Sequence, residues 1–140
     1  MQDTAEVRIT HLGLIQAVIT RMAQNSFLLK GWAVTLVAAL FALAAAKTCG
    51  QIALLGLLPA LVFWGLDAYY LRQERLFRAL YDFVRSSPEG SLGDRVFSMD
   101  TRPCRGQVKS WFATLPSPTI AFFHGSVVVA IGITTVVLVA

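Results

Sequence analysis

The amino-acid sequence predicts an all-α membrane protein with three transmembrane helices and cytoplasmic amphipathic helices. Apolar residues make up 56% of its 140 residues and charged residues only 14%, whereas soluble domains are nearer a quarter charged. The apolar residues are gathered into three blocks, and nearly all charges lie outside them. A chain this short has little reason to segregate its apolar residues unless the blocks cross a bilayer. We therefore treat residues 1–140 as one membrane domain.

The first two predicted spans cover residues 27–46 and 48–66. Each contains about 20 residues, which at roughly 1.5 Å per residue is enough to cross a hydrocarbon core of about 30 Å. Lys30 is accommodated near the start of the first span because its long side chain can bend toward the headgroups. Pro59 removes one backbone donor from the second span, which predicts a kink near its middle.

The third predicted span covers residues 118–140 and contains one ionisable residue, His124. Before it, residues 86–117 form a predicted cytoplasmic loop, which begins with a run of Ser, Pro and Gly residues typical of turns. Within this loop we expect a short extended piece at Arg95–Met99 and a brief amphipathic helix at Gln107–Leu115. That helix carries aromatic residues that suit a membrane interface.

The basic residues predict the orientation, because loops rich in lysine and arginine tend to stay in the cytoplasm. Eleven of the twelve lie before the first uncharged run or between the second and third spans, and only Lys47 lies between the first and second. The amino terminus and the large loop are therefore predicted to be cytoplasmic and the carboxyl terminus to be outside. Aromatic residues typical of an interface lie at the same ends of the spans: Trp32, Trp64, Tyr69 and Tyr70.

Cleavage or lipidation of the first span is an alternative, because three alanines precede Cys49. The segment before the span is too long for a signal peptide, however, and Lys47 and Thr48 do not fit a lipobox. We therefore predict a retained span. Cys49 and Cys104 then lie on opposite sides of the membrane, which excludes a disulfide between them. No metal-ligand spacing is present, and no cofactor is predicted.

Two amphipathic helices are predicted on the cytoplasmic side. Asp3 and Glu6 form a capping-box pattern before a helix at residues 4–25, whose apolar residues fall on one arc and whose opposite face is mostly uncharged. The second span is predicted to continue as an amphipathic helix to Arg85, with its apolar residues on one side. We expect these two helices to pack on each other.

Charged residues of the second helix are spaced for ion pairs between Glu74 and Arg78 and between Arg78 and Asp82. His11 and Arg8 lie on the apolar arc of the first helix, where we expect helix contacts and no ligand. The candidate cytoplasmic contact residues are Arg21, Arg72, Arg75, Arg78 and Arg85.

The candidate functional residues inside the membrane are Asp67 and His124, because charged groups in a span are costly and usually functional. Each also has an ordinary interpretation at the inner interface. Asp67 can pair with Lys30 or with an arginine, and His124 can serve as a hydrogen-bonding residue at the headgroups. A direct contact between Asp67 and His124 would favour a function linked to protons or ions.

Several segments of the sequence resemble a family of small bacterial membrane proteins of uncharacterised function. They are RMAQNSFLLKGW from Arg21, FWGLDAYYLRQERLFRALYDFVR from Phe63, FSMDT from Phe97 and VKSWFATLPSPTIAFFHG from Val108. The resemblance implies a bacterial inner membrane but brings no activity with it. In layout the chain is also similar to the two-span SLATT effector modules, which are thought to form pores in anti-phage systems. The third span departs from that layout.

Three candidate functions agree with these observations. The first is a homo-oligomeric membrane effector or channel in an anti-phage or stress system, since small residues in the first span allow close helix packing. Ordinary packing within one chain is the alternative explanation of those residues. The second is a membrane-anchored subunit that recruits a cytosolic protein through its cytoplasmic helices and loop. The third and least favoured is an enzyme acting on lipid, so the chain is not predicted to be an enzyme.

Nucleic acid is not a predicted partner, although the sequence pI is about 9.5. The cytoplasmic loop alternates basic and acidic residues and forms no basic stripe. The positive balance is explained by the predicted topology and by contact with the anionic lipid bilayer.

Overall fold

The computed structural model of the chain describes residues 2–88 and 90–139, with side chains from residue 5 onward, and consists of helices joined by turns and irregular segments. About 84% of the residues are helical, and no strand is found in those ranges. The all-α prediction is therefore confirmed. The elements are α1 Gln2–Lys47, α2 Gly50–Leu54, α3 Leu57–Ser86, α4 Trp111–Thr114 and α5 Pro118–Val139, with short 3-10 helices at Gly93–Arg95 and Arg102–Gln107.

Three helical segments are long and apolar enough to cross a membrane: Ala5–Lys47, Gly50–Ser86 and Pro118–Val139. Each exceeds the roughly 20 residues that a span needs. The first two extend well beyond that length, and their extra residues carry most of the charges. We call the charged halves of α1 (residues 5–25) and α3 (residues 68–86), together with residues 87–88 and 90–117, the base.

Helix α1 joins the predicted amphipathic helix at 4–25 and the span at 27–46 without a break. Its 46 residues extend over about 69 Å. The helix ends in a Schellman motif, in which the Cys49 amide donates to the Ala44 carbonyl at 3.0 Å and the Thr48 amide to the Ala45 carbonyl at 3.2 Å. Thr48 has a φ of 50°, a left-handed conformation that usually favours glycine. The predicted Asp3 cap lies outside the described side chains.

The second span is interrupted at Leu55–Gly56, one turn before Pro59. Proline has no amide hydrogen, and the Leu55 carbonyl that it leaves free accepts instead from the Leu58 amide at 3.2 Å. The amide thus bonds the carbonyl three residues earlier, as in a 3-10 helix, and not the one four residues earlier. This local change is the expected response of a helix to proline. From Leu57, helix α3 runs unbroken to Ser86, so the span and the charged helix form one rod.

Helix α5 passes very close to α2 at Gly50. A Cβ atom at this position would lie 2.5 Å from Val139 Cγ2 and 2.8 Å from the Thr135 carbonyl oxygen. We expect Gly50→Ala to destabilise the protein by about 1–3 kcal/mol, because the backbones must separate to admit the methyl group. Thermal unfolding in detergent measures the change. Gly132→Ala is the matched control, since a Cβ there meets nothing within 4 Å. Equal loss of stability in both variants would contradict the close approach.

The base has its own apolar core between α1 and α3. Its buried residues are Ile15, Ile19, Leu80, Val84 and Cys104. Partly buried side chains surround it: Leu12, Phe77, Ala79, Tyr81, Leu92 and Met99. The two charged helix halves therefore pack on each other. The segment between α3 and α5, which we call the connecting segment, covers this core with Leu92, Met99 and Cys104.

A second core lies between the apolar halves of the helices. Val37 of α1, Ala60 of α3 and Ile131 of α5 are buried together. Phe41, Leu57, Val127 and Val128 pack around them. Both cores hold α1 against α3, so the long rods are packed along most of their length.

The connecting segment differs from the sequence prediction in two places. The sequence favours an extended piece at Arg95–Met99, but a 3-10 helix covers Gly93–Arg95 and Phe97 has a φ of 63°. The predicted helix at Gln107–Leu115 is shorter and begins at Trp111. It starts there because the Ser110 hydroxyl caps it by accepting a hydrogen bond from the Ala113 amide.

Candidate functional site

Asp67 is fully buried where the apolar half of α3 gives way to its charged half. Its carboxylate is held by both other long helices. Oδ2 accepts hydrogen bonds from Lys30 Nζ of α1 at 2.6 Å and from His124 Nε2 of α5 at 3.0 Å. Oδ1 accepts a hydrogen bond from the Ser26 hydroxyl of α1. We call these four residues the three-helix cluster, because they join α1, α3 and α5 at one level.

Lys30 and Ser26 are on adjacent turns of α1, and Lys30 Nζ also donates to Ser26 Oγ at 2.8 Å. The Lys30 side chain is 23% exposed, whereas Asp67 and His124 are 0% exposed. Ser26 is also only partly buried, so the two α1 residues connect the cluster to the molecular surface. Its ammonium supplies the countercharge that a buried carboxylate needs.

His124 is enclosed by aromatic rings. Trp64 of α3 stacks on the imidazole with ring centroids 5.9 Å apart and an angle of 11° between the planes. Phe123 meets it edge-on at 5.0 Å. The carboxylate of Asp67 accepts the hydrogen on Nε2, and Nδ1 is buried with no hydrogen-bond partner among the described residues. Only one of the two imidazole nitrogens is thus used inside the described part of this chain.

Two tryptophans fasten the connecting segment beside the cluster. Trp64 Nε1 donates to the Leu115 carbonyl at 3.1 Å, and Trp111 Nε1 of α4 donates to the Gly65 carbonyl at 3.0 Å. Two aromatic side chains that suit a membrane interface therefore also fix α4 to α3. The reciprocal bonds place the start of α5, and with it His124, opposite Asp67.

Both candidate in-membrane residues are brought together, and the alternative partner Lys30 joins them. Sequence reasoning missed Ser26 and the stacking of Trp64 on His124. Ser26 lies one turn before Lys30 in α1. That spacing places both side chains on the face of α1 that meets Asp67. It is the one feature of the sequence from which the role of Ser26 could have been predicted.

The candidate arginines have different environments. Arg72 Nε donates to the Lys109 carbonyl at 3.2 Å, and Arg75 donates to the Ser117 hydroxyl at 2.8 Å. These two arginines are engaged within the chain and hold the connecting segment to α3. Arg21, Arg78 and Arg85 are exposed on the base.

One of the two predicted ion pairs on α3 is confirmed and the other is wrong. Arg78 pairs with Glu74 at 2.8 Å. Asp82 pairs with Arg85 at 3.4 Å and not with Arg78. Arg78 has turned back toward Glu74, since one guanidinium in this position serves one of its two acidic neighbours.

Helix contacts are expected from the sequence for His11 and Arg8 of α1; Arg8 contacts the end of α3, whereas the hydrogen bond of His11 is to the connecting segment. The His11 ring is 1% exposed, and its Nε2 lies 3.1 Å from the Ser98 carbonyl. The Arg8 guanidinium donates to the Arg85 carbonyl at the end of α3. Both contacts bind the amino-terminal half of α1 to the rest of the base.

The two cysteines are free thiols, and Cys104 is buried in the base core. Burial, with a smaller contribution from the charge of Asp100, raises the pKa of the Cys104 thiol above its ordinary value. The thiolate is the reactive form. In a Cys49→Ala background we therefore expect Cys104 to react with maleimide more than roughly tenfold slower than an exposed thiol at neutral pH.

The exposed reference for this experiment is Ser91→Cys in a chain whose native cysteines are both alanine. Unfolding in SDS should remove the difference in alkylation rate between the two proteins. Equally fast alkylation of folded Cys104 would contradict its place in the base core.

No protein-family model, no curated protein and no solved structure matches this chain.

The chemistry available in the cluster is proton transfer and ion coordination. The cluster places the imidazole of His124 and the ammonium group of Lys30 both within hydrogen-bond distance of the Asp67 carboxylate. Among the described residues, no three His, Cys, Asp or Glu side chains converge as metal ligands.

Proposed function

We propose that the chain is a homo-oligomeric, channel-like protein of the bacterial inner membrane, in which the three-helix cluster controls the passage of protons or small cations. The observation that supports the proposal is the direct contact of Asp67 with His124 inside a packed three-helix unit. Ionisable groups within spans are costly and commonly mark ion paths. The amino terminus and the base then face the cytoplasm, as the basic residues predict.

The Nδ1 nitrogen of His124, which has no hydrogen-bond partner among the described residues, supports a role in proton transfer more than a purely structural role. A relay needs an imidazole that receives a proton on one nitrogen and releases one from the other. Nε2 of His124 faces Asp67, and Nδ1 makes no hydrogen bond to the described residues. Lys30 gives the pair contact with the surface. A structural lock would be better served by an imidazole with both nitrogens bonded.

Assembly of several copies is part of the proposal, because three spans cannot enclose a water-filled path by themselves. One face of α1 is exposed along the membrane and carries small residues that allow close helix approach. These residues are Gly31, Ala38, Ala42, Ala45 and Ala46. Large apolar side chains of α5 are also exposed, including Phe122 at 83% and Val137 at 68%.

The test is proton flux into liposomes that contain the purified protein and a trapped pH-sensitive dye. Wild-type protein is expected to carry protons at a rate well above protein-free liposomes. His124→Gln keeps a hydrogen bond to Asp67 but cannot relay a proton, so we expect a loss of roughly tenfold or more in rate. Ser126→Ala is the control, since that hydroxyl lies on α5 but is exposed and bonds only its own helix.

The mass of the protein in detergent and after crosslinking in liposomes tests the assembly. A stable homo-oligomer is expected. Proton flux that is equal in wild type, His124→Gln and empty liposomes would contradict the channel-like function. A monomer at every protein concentration would contradict the assembly into oligomers.

A second candidate, a membrane-anchored subunit for a cytosolic partner, is favoured by the exposed surface of the base. Ile9 is 70% exposed and Phe97 is 46% exposed, although both lie far from the apolar halves of the helices. Arg21, Arg78 and Arg85 also lie exposed on the base. Copurification of one cytosolic protein that is lost on Ile9→Ser but kept on Ser126→Ala would support this function. An anti-phage or stress role is compatible with either candidate.

A further inference from the structure

We propose that the base contains a second site, centred on His11, that binds a small carboxylic acid with a short apolar tail. The site is separate from the three-helix cluster and does not depend on the channel-like function. It is formed by α1, α3 and the connecting segment. His11 is 19 residues before Lys30 on the same helix, which is a separation of about 28 Å.

His11 is a buried polar side chain that the chain satisfies only in part. The ring is 1% exposed. Its Nε2 lies 3.1 Å from the Ser98 carbonyl oxygen, and because a carbonyl only accepts, Nε2 must carry the hydrogen of this bond. Nδ1 is buried and has no hydrogen-bond partner among the described residues. A buried nitrogen without a partner is costly, and His11 also lines two cavities. The two observations together point to a ligand.

Two cavities adjoin the His11 ring. The larger has a volume of about 110 Å³ and the smaller about 50 Å³. Leu92 lines both cavities together with His11. The larger space is smaller than the cavity of about 150 Å³ that is known to hold one benzene molecule, but it opens to the surface. A molecule of about six non-hydrogen atoms therefore fits with one end outside the cavity.

The charges of the larger cavity favour an anionic group. Arg95 and Asp100 both line it. The Asp100 carboxylate is already paired with Arg102, whose Nε lies 2.9 Å and 3.0 Å from its two oxygens. This pairing lowers the pKa of Asp100 and neutralises its charge locally. Arg95 is the remaining cation of the lining, and a guanidinium is well suited to bind a carboxylate.

The rest of the larger cavity is apolar. Leu80, Phe83 and Val84 of α3 line it, and a short hydrocarbon tail would gain free energy by contact with them. An inorganic anion would gain no free energy from contact with this apolar surface. The combination of one guanidinium, one imidazole and an apolar wall therefore fits a short-chain carboxylic acid.

A carboxylic acid also satisfies His11. Nδ1 has less than 1 Å² of accessible surface, so the ring has to shift slightly for the acid to reach it. The two groups then share one proton, and the bond is complete whichever of them holds it. No alcohol or hydrocarbon both satisfies the nitrogen and pairs with Arg95. We take butyrate, which has six non-hydrogen atoms, as the probe and expect binding in the millimolar range from its size.

The experiment uses the full-length protein in detergent with ¹⁵N-labelled histidine. The chain contains two histidines, and His124→Gln assigns their ring signals. Butyrate is expected to shift the His11 ring signals saturably and to leave those of His124 in place. Butyramide, which has the same size but no charge, should bind more weakly, and sodium chloride at equal ionic strength should cause no such shift.

Arg95→Gln is expected to weaken butyrate binding by roughly tenfold or more, because a hydrogen bond to a charged group is lost. Arg95→Lys should recover part of the affinity. Arg78→Gln removes the same charge from another part of the base and should leave the dissociation constant within about twofold. Arg95 is exposed, so its replacement leaves the fold intact.

Three results would overturn the site: no saturable shift at His11, equal shifts at both histidines, or equal affinity in the wild type and Arg95→Gln. Failure of this site is distinguishable from failure of the channel, because the spectra report on binding without any flux. Flux that depends on His124 with no butyrate binding would reject the site alone.

Discussion

Replacement of Asp67 by asparagine is expected to lower the free energy of unfolding by about 3–5 kcal/mol, because it breaks a buried charge pair from one side. Lys30 Nζ would lose a carboxylate at 2.6 Å, and the His124 ring would lose its charged partner at 3.0 Å. The lysine keeps some access to the surface, so the lower end of the range is the better guide. Thermal and SDS-induced unfolding in detergent measure the loss.

A fully apolar version of the cluster separates a structural role from a functional one. The triple variant Lys30→Met, Asp67→Leu, His124→Leu leaves no buried charge unpaired, and such replacements often restore stability. We expect it to be at least as stable as wild type within about 1 kcal/mol. Proton flux should nevertheless stay absent in the triple variant. Recovery of flux together with stability would show that the cluster serves only to hold the helices.

The surface carboxylate of Asp82 supplies the control on the same helix. Its side chain is 67% exposed and pairs with Arg85 at 3.4 Å. Asp82→Asn is expected to change stability by less than about 1 kcal/mol, as for other exposed ion pairs. A loss at Asp82 equal to that at Asp67 would mean that burial of the cluster contributes nothing.

The three long helices could be predicted from the sequence because hydropathy and length alone determine them. The continuation of α3 to Ser86 was also predictable, since its apolar side chains keep the helical period past the end of the span. The unbroken course of α1 through residue 26 was less apparent. No proline or glycine interrupts α1 between the amphipathic half and the span until Gly31, and the helix continues through that glycine as well.

The candidate site could be predicted only in part. Asp67 and His124 are conspicuous because they are ionisable residues beside long apolar runs. Their contact depends on the rotation and the vertical position of α5, which the tryptophan bonds of Trp64 and Trp111 determine. A local pattern carries no information about such bonds between residues about 50 positions apart. Ser26 carries no charge, so nothing marks it until α1 and α3 are packed.

The connecting segment was the least predictable part for a similar reason. Phe97 adopts a left-handed conformation with a φ of 63°, which a bulky residue rarely does without tertiary contacts. Its ring lies 5.8 Å from that of His11, and the next residue offers its carbonyl to the same imidazole. Contacts with α1, and not local preference, therefore determine this turn.

Ile15→Ala is expected to cost about 2–5 kcal/mol, the usual range for deleting a large side chain from a packed core. Ile15 is 0% exposed and lies between α1 and α3 in the core of the base. The base is outside the apolar halves of the helices, so burial from water contributes to its stability in full. Thermal unfolding in detergent and the protease sensitivity of residues 87–110 measure the effect.

Leu14→Ala is the matched control, one residue away on the same helix. The Leu14 side chain is 46% exposed, so its truncation should cost less than about 1 kcal/mol. The comparison tests which face of α1 is packed, because the two residues are about 100° apart around the helix. A larger loss at Leu14 than at Ile15 would mean that α1 is rotated, and His11, one turn before Ile15, would then no longer face Ser98. The order of these two losses therefore bears on both the base core and the site proposed around His11.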